Sequence, residues 1–262
     1  MGYNALGEQQ GYAKAKEAAK KAVLLDPNLA DAHTALGSNL FVIDWNWSAA
    51  HAEFKRALQL NSNDAAAHIE YGKFLRSMGD FEGAIREGKQ SEELDPLSNI
   101  ARLQLCATYS SANQLDKAVD ECNRSIRLQP QSEAAYILLS QICARQRNYD
   151  DSAGATVKAL RLEGATTLAD EFTTNYPKLG YARAEALLAE GMKEQYRDPK
   201  AYENQLLFMQ LDKKDSAIKF LEEAYVAHDS SLITIKTNPS FAFLRGDPRF
   251  DALLSKMHFE NY

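Results

Sequence analysis

From residue 28 to residue 162 the chain alternates apolar-rich stretches with short polar stops at a fixed period. Leu25-Asp26-Pro27, Leu60-Asn61-Ser62, Leu94-Asp95-Pro96, Leu128-Gln129-Pro130 and Leu162-Glu163-Gly164 begin 35, 34, 34 and 34 residues apart. Each stop pairs a helix-ending leucine with a polar residue and then Pro or a small residue, which suits the end of one helix and the start of the next. Small residues recur in register between the stops: Gly37, Gly72, Cys106 and Ser140 in the first half of each unit, then Ala50, Ala84, Ala118 and Ser152 in the second. Ala57, Ser91, Ser125 and Ala159 form a further small row, with Leu36, Tyr71, Leu105 and Leu139 as large partners. Small residues at matched positions let two helix axes approach, so the pattern predicts one antiparallel helix pair per period.

The stops and the polar turns Met78-Gly79-Asp80, Ala112-Asn113-Gln114 and Gln146-Arg147-Asn148 predict first helices near 29–42, 64–78, 98–112 and 132–146. Second helices follow near 47–60, 81–94, 115–128 and 149–162. In the first unit the turn is Asp44-Trp45-Asn46-Trp47, where Asn46 is suited to cap the second helix and the indoles to cover the hairpin end. Residues 8–25, with Ala15, Ala19 and Ala22, look like the end of a preceding unit, so residues 1–27 are expected to be a partial repeat and the chain a piece of a longer protein. After Gly164, Thr166-Thr167, Thr173-Thr174 and Pro177 interrupt the period, leaving 165–197 as a divergent helical segment with a helix near 179–195. A hairpin is restored over 198–231, with helices at 201–211 and 216–227. The remaining 232–262 is expected to cap the array, with a helix over 248–258 packing on that last hairpin. Asp247-Pro248 starts this helix, and Phe250, Leu253, Leu254 and Met257 form its apolar stripe.

Composition narrows the function classes. A chain of 262 residues with 45% hydrophobic content can bury a core. A net charge of -6 offers nucleic-acid phosphates no general attraction, and no apolar run reaches the roughly 20 residues that span a bilayer. Neither nucleic acid nor membrane is therefore an expected partner of this chain, and a cytoplasmic location is the first expectation. Cys106, Cys122 and Cys143 form an odd set without a Cys-x-x-Cys pair, which reads as three buried thiols rather than a disulfide framework or a zinc site. The five histidines look scattered, so no metal is expected. Adjacent carboxylates such as Glu92-Glu93 and Glu222-Glu223 diverge around a helix and do not converge as an acid/base pair. No Gly-x-Ser-x-Gly elbow, Gly-rich phosphate loop, His-Arg-Asp or Asp-Phe-Gly segment is present, so neither catalysis nor a cofactor is expected.

The repeated unit resembles the tetratricopeptide repeat: a large residue then a small one, alanine, an aromatic or small residue, alanine and proline, in four consecutive units over 28–164. The resemblance implies an all-α, right-handed superhelical solenoid of antiparallel helix pairs with a C-terminal capping helix. It also implies a concave surface lined by the first helices. The positions facing it would be Thr34, Ile69, Leu103 and Ile137, then Ser38, Lys73, Ala107 and Gln141, then Phe41, Arg76, Ser110 and Ala144, with Arg145 beside the last row. Ile69, Leu103, Ile137 and Gln141 would supply the middle of a partner-binding groove and Lys73, Arg76 and Arg145 its basic points. Alternatively the isoleucines pack between units and the charges only solubilise the face. The lysine/asparagine/arginine set with which the chaperone-binding branch holds a C-terminal carboxylate is not matched, since Thr34 and Ser38 stand in its first two places.

The stretch from Asp44-Trp45-Asn46-Trp47 through Asp95-Pro96, with the closing Asn-Pro-x-Phe and Leu-Arg-x-Asp-Pro-Arg-Phe segments, is similar to the C-terminal repeat region of bacterial multidomain signalling proteins. Such regions are joined to winged-helix regulators, serine/threonine kinases or nucleotide cyclases, and the alternative to a cytoplasmic location is the periplasmic part of a membrane-anchored regulator. The expected function is a scaffold or sensory module that binds a protein or peptide. A self-association module and a small-molecule sensor are the alternatives.

Overall fold

A computed structural model describes residues 3–195 and 214–259. Among them are thirteen α-helices, two short 3-10 segments and no strand. The four central repeats form α2 (Ala30–Val42) with α3 (Trp47–Leu60), α4 (Ala65–Met78) with α5 (Phe81–Leu94), α6 (Asn99–Ser111) with α7 (Leu115–Leu128), and α8 (Glu133–Arg145) with α9 (Tyr149–Glu163). They are preceded by α1 (Tyr3–Leu25) and followed by α10 (Thr166–Leu179) and α11 (Tyr181–Gln195). Then come α12 (Lys214–Val226), the 3-10 segments Ser230–Thr234 and Pro239–Leu244, and α13 (Pro248–Lys256).

The expected helix ends lie within one or two residues of these bounds because the chain carries its own punctuation. Asn46, Asp64, Asp80 and Asn148 accept hydrogen bonds from backbone N–H groups of the first turns of α3, α4, α5 and α9. Gly79 and Gly164 take the left-handed conformation that ends α4 and α9. The small rows are buried where the helices of a pair meet: Ala50, Ala57, Ala118, Ser91 and Ser125 are inaccessible. A Cβ added at Gly37 would lie 3.0 Å from the Phe54 ring, so that pair of helices is packed to its limit.

Two expectations are corrected. The threonines and Pro177 of 166–179 do not break the chain: α10 is a full helix, and Thr173 and Thr174 return their hydroxyls to the carbonyls of Ala169 and Asp170. Its Leu168, Ala169 and Phe172 form a core with Ala184, Leu188 and Met192 of α11, so the segment is another helix pair. Cys106 and Cys122 are not free thiols but a disulfide joining α6 to α7, with Cα atoms 5.4 Å apart. The hairpin turn lies midway between them, so two residues 16 apart meet face to face. The cap helix makes a contact that the sequence did not suggest. Trp47 donates its indole N–H to the carbonyl of Met257 at 2.7 Å and stacks on Phe259, so the end of the chain docks on the first full repeat. Lys256 also lies over the Tyr225 ring of α12. The expected helix at 201–211 lies outside the described residues.

The described residues divide into two compact units. One holds residues up to 101 together with 223–237 and those from 248 onward; the other holds 102–222 and 238–247, apart from the residues not described.

Candidate functional site

The residues expected to bind a partner fall in both units. Ile69, Lys73 and Arg76 on α4 belong to the first, and Leu103 on α6 with Ile137, Gln141 and Arg145 on α8 belong to the second.

In the first unit the expected helices already carry another part of the chain. The segment Ser230–Thr234 packs against both α2 and α4. Three sets of contacts hold it there. Trp45 stacks on His228 at 3.8 Å and on Tyr225 at 5.7 Å, and His228 Nε2–H donates to the Ile43 carbonyl at the end of α2. Lys236 Nζ donates to the carbonyls of Met78 at 3.0 Å and Phe259 at 3.3 Å, and burial pushes its pKa down. Met78 closes α4, whose C-terminal carbonyls favour a cation. Trp47 fixes the end of the chain as described above. Phe41, edge-on to Trp47 and Phe74, is 1% exposed and Ile69 8%, which leaves either little contact surface. Lys73 is spent on Glu70, 2.6 Å away one helical turn earlier. Arg76 is half-buried; its Nε is buried without a hydrogen-bond partner among the described residues, and desolvation lowers its pKa to about 10.

In the second unit the face is more open. Leu103 and Ile137 are half-buried and Gln141 is exposed. Arg145 is committed within the fold: one Nη donates to the carbonyl (2.9 Å) and hydroxyl (2.8 Å) of Ser110, the other to Asn113 Oδ1 (2.9 Å). It thereby clamps the end of α8 to the α6–α7 turn. Burial, and next the charge of Arg245, lower its pKa.

Two sets of polar groups escaped the sequence reading. His33 and His68, 35 residues apart, occupy equivalent places in the first two repeats. His33 Nδ1 meets Glu53 at 2.6 Å and Nε2 the Pro27 carbonyl at 3.0 Å; His68 Nδ1 meets Glu87 at 2.6 Å and Nε2 the Ser62 carbonyl at 3.1 Å. Arg102 stands in the same place in the third repeat, 4.0 Å from Glu121. The periodicity itself was the available signal, since each basic side chain lies 19 or 20 residues before its carboxylate. The second set fills the fourth repeat. Ser140 bonds Ser152 and Thr156, and Ser152 bonds the Tyr181 hydroxyl at 2.7 Å. Burial pushes both Tyr181 and the neighbouring Glu185 up, although the Tyr181 hydrogen bond partly offsets the shift of Glu185. These hydroxyls satisfy one another within the fold.

Among the described residues no group of three or more His, Cys, Asp or Glu side chains is arranged to hold a metal ion. No described helix is long and apolar enough to cross a membrane. A concavity of about 710 Å³ along α3, lined by Ser48, His51, Ala52, Lys55, Arg56 and Gln59, is wide open to solvent. It lacks the enclosure of a small-molecule pocket.

Comparison with known proteins agrees with this architecture. Residues 46–99 match the family profile described as tetratricopeptide repeat. A human protein, the protein O-mannosyl-transferase TMTC1 of Homo sapiens, is 27% identical over 136 residues, 52% of this chain but only 14% of its own length. Among solved structures, a crystal structure of MamA superposes with a TM-score of 0.52 at 22% identity, covering 61% of this chain and 93% of MamA. PilF of Pseudomonas aeruginosa gives 0.52 at 20% identity, covering 89% and 93%. YrrB, described as a TPR protein with an unusual peptide-binding site, gives 0.50 at 20% identity, covering 63% and 85%.

Proposed function

We propose that this chain, which belongs to the tetratricopeptide-repeat family, is a protein-interaction scaffold whose partner peptide binds the face of α6 and α8 in the second unit. The observation that carries the reading is the contrast between the two units. In the first unit α2 and α4 pack against the chain's own segment 230–234, whereas Leu103 and Ile137 keep apolar surface open beside the exposed amide of Gln141. Apolar side chains flanked by a group able to both donate and accept suit an extended or helical peptide. Ile69, Lys73 and Arg76 contribute less, because they are buried, ion-paired and half-buried respectively. Arg145 acts mainly by holding α8 in place. The peptide-binding site named for YrrB lends the reading support by likeness of fold. At the finer level, the parent would be a bacterial signalling or regulatory protein that uses this region as a sensory arm.

The test is titration calorimetry of the folded chain with a captured partner. Leu103→Asp should weaken binding by more than about 1 kcal/mol, because a carboxylate would be desolvated against apolar ligand surface. Equal affinity for Leu103→Asp and the parent would remove the face from consideration.

Self-association is the second reading, favoured by one observation: contacts such as Trp47 with Met257 join positions 210 residues apart. A second copy could supply the same C-terminal segment by exchange. Light scattering across a concentration series separates the readings, since only exchange yields dimers.

A further inference from the structure

The third repeat carries a covalent modification site. We propose that the Cys106–Cys122 disulfide is installed by an oxidoreductase during folding, so that the protein matures in an oxidising compartment rather than in a reducing cytosol. Three observations converge. First, the two cysteines face each other across the α6–α7 hairpin with Cα atoms 5.4 Å apart, within the range that a disulfide spans without moving the backbone. Second, both are fully inaccessible. A cystine formed there is shielded from small thiols once the repeat has closed, and its formation belongs to folding, before α6 and α7 pack. Third, Cys143 stands apart as a buried thiol whose pKa is raised by burial and by Asp151, so it is a poor nucleophile and does not compete for either partner.

The place of the pair in the repeat matters as well. Gly37 with Phe54 and Ser140 with Thr156 occupy the equivalent facing positions in the first and fourth repeats, where contact or hydrogen bonding joins the two helices. In the third repeat the two sulfurs take that role. The oxidant is a protein of the thiol–disulfide oxidoreductase class. The Cys106 thiolate attacks one sulfur of its disulfide, forming a mixed disulfide and releasing one thiolate. The Cys122 thiolate then attacks Cys106 Sγ, forming the internal bond and releasing the second thiolate. The chain loses two electrons and two protons, and the oxidoreductase disulfide gains them as a dithiol.

This inference stands apart from the partner-binding reading, because its test needs no partner. The full chain is acid-quenched in the cells that make it, unfolded, and alkylated without reductant. One alkyl group is expected, on Cys143, rising to three after treatment with dithiothreitol, with a Cys106–Cys122 cross-linked peptide found on digestion. Three alkyl groups before reduction, or a cross-link that includes Cys143, would overturn the proposal. A second measurement covers the staple itself. Reduction of the unfolded chain, followed by refolding with reductant present, should lower the Tm of the parent by roughly 5–10 °C and leave a Cys106→Ser/Cys122→Ser variant unmoved. A parent whose Tm ignores reductant, or a variant that shifts as much as the parent, contradicts the staple.

Discussion

Trp47 concentrates the long-range contacts of the first unit, so its replacement gives the sharpest forecast. The side chain is 4% exposed, donates from Nε1 to the Met257 carbonyl at 2.7 Å, stacks on Phe259 at 4.9 Å and meets Phe41 edge-on at 6.0 Å. Trp47→Phe keeps most of the ring but removes the donor, leaving a carbonyl at the end of α13 short of its partner. That loss should cost about 1–3 kcal/mol. Trp47→Ala also removes the ring and its packing, for a total of about 3–5 kcal/mol. Of that total, about 0.5–1.5 kcal/mol should appear as coupling to Phe259 in a double-mutant cycle with Phe259→Ala. Urea unfolding followed by circular dichroism gives the totals, and hydrogen exchange gives their location. In Trp47→Phe the amides of 248–259 should exchange faster while those of α8 and α9 keep their protection, because the loss lies in the docking of one segment. Unchanged exchange over 248–259, or a coupling energy of zero, would refute the docking account.

Three further outcomes follow from the same structure. Burial opposes charging of His68, but its hydrogen bonds to Glu87 and to the Ser62 carbonyl prevail and raise its pKa above the ordinary 6.5. The stability it contributes is therefore full below pH 6.5 and lost as pH rises through the elevated folded value. The urea midpoint should fall between pH 6 and pH 8 by more in the parent than in His68→Gln; parallel profiles would contradict this. Gly37→Leu should destabilise by roughly 1–3 kcal/mol, since even a Cβ there lies 3.0 Å from Phe54, and an unchanged melting curve would show that the α2–α3 contact can yield. Arg145→Ala should cost about 1–3 kcal/mol through the loss of its bonds to Ser110 and Asn113. If this variant instead loses partner affinity at full stability, Arg145 is a contact residue and not a clamp.

The repeats were legible because their signals are local. A stop such as Leu94-Asp95-Pro96 and a small residue such as Ala118 act within one hairpin, and the 34-residue spacing repeats the message. α10 was missed because Thr173, Thr174 and Pro177 weigh against a helix individually, whereas Leu168, Ala169 and Phe172 are held by burial against α11. The disulfide was hidden because spacing rules for cysteines describe linear motifs, and here the fold of a hairpin supplies the proximity. The partner face was only partly legible. Register sets Ile69, Leu103 and Ile137 at equivalent places, but it does not foretell that a segment more than 150 residues beyond Ile69 packs on α2 and α4, for which no local pattern exists. The two indoles at Trp45 and Trp47, large apolar surfaces on a turn, were the trace of that contact on the near side.

The central claim is that partners bind the α6–α8 face of the second unit. Site-specific photocross-linking tests it most directly, with a benzophenone amino acid placed in the full chain at Leu103, at Ile137 or at the exposed Glu82 of the first unit. The account predicts a covalent adduct with the same partner from positions 103 and 137 and none from position 82. Adducts from position 82 with none from the other two would contradict it.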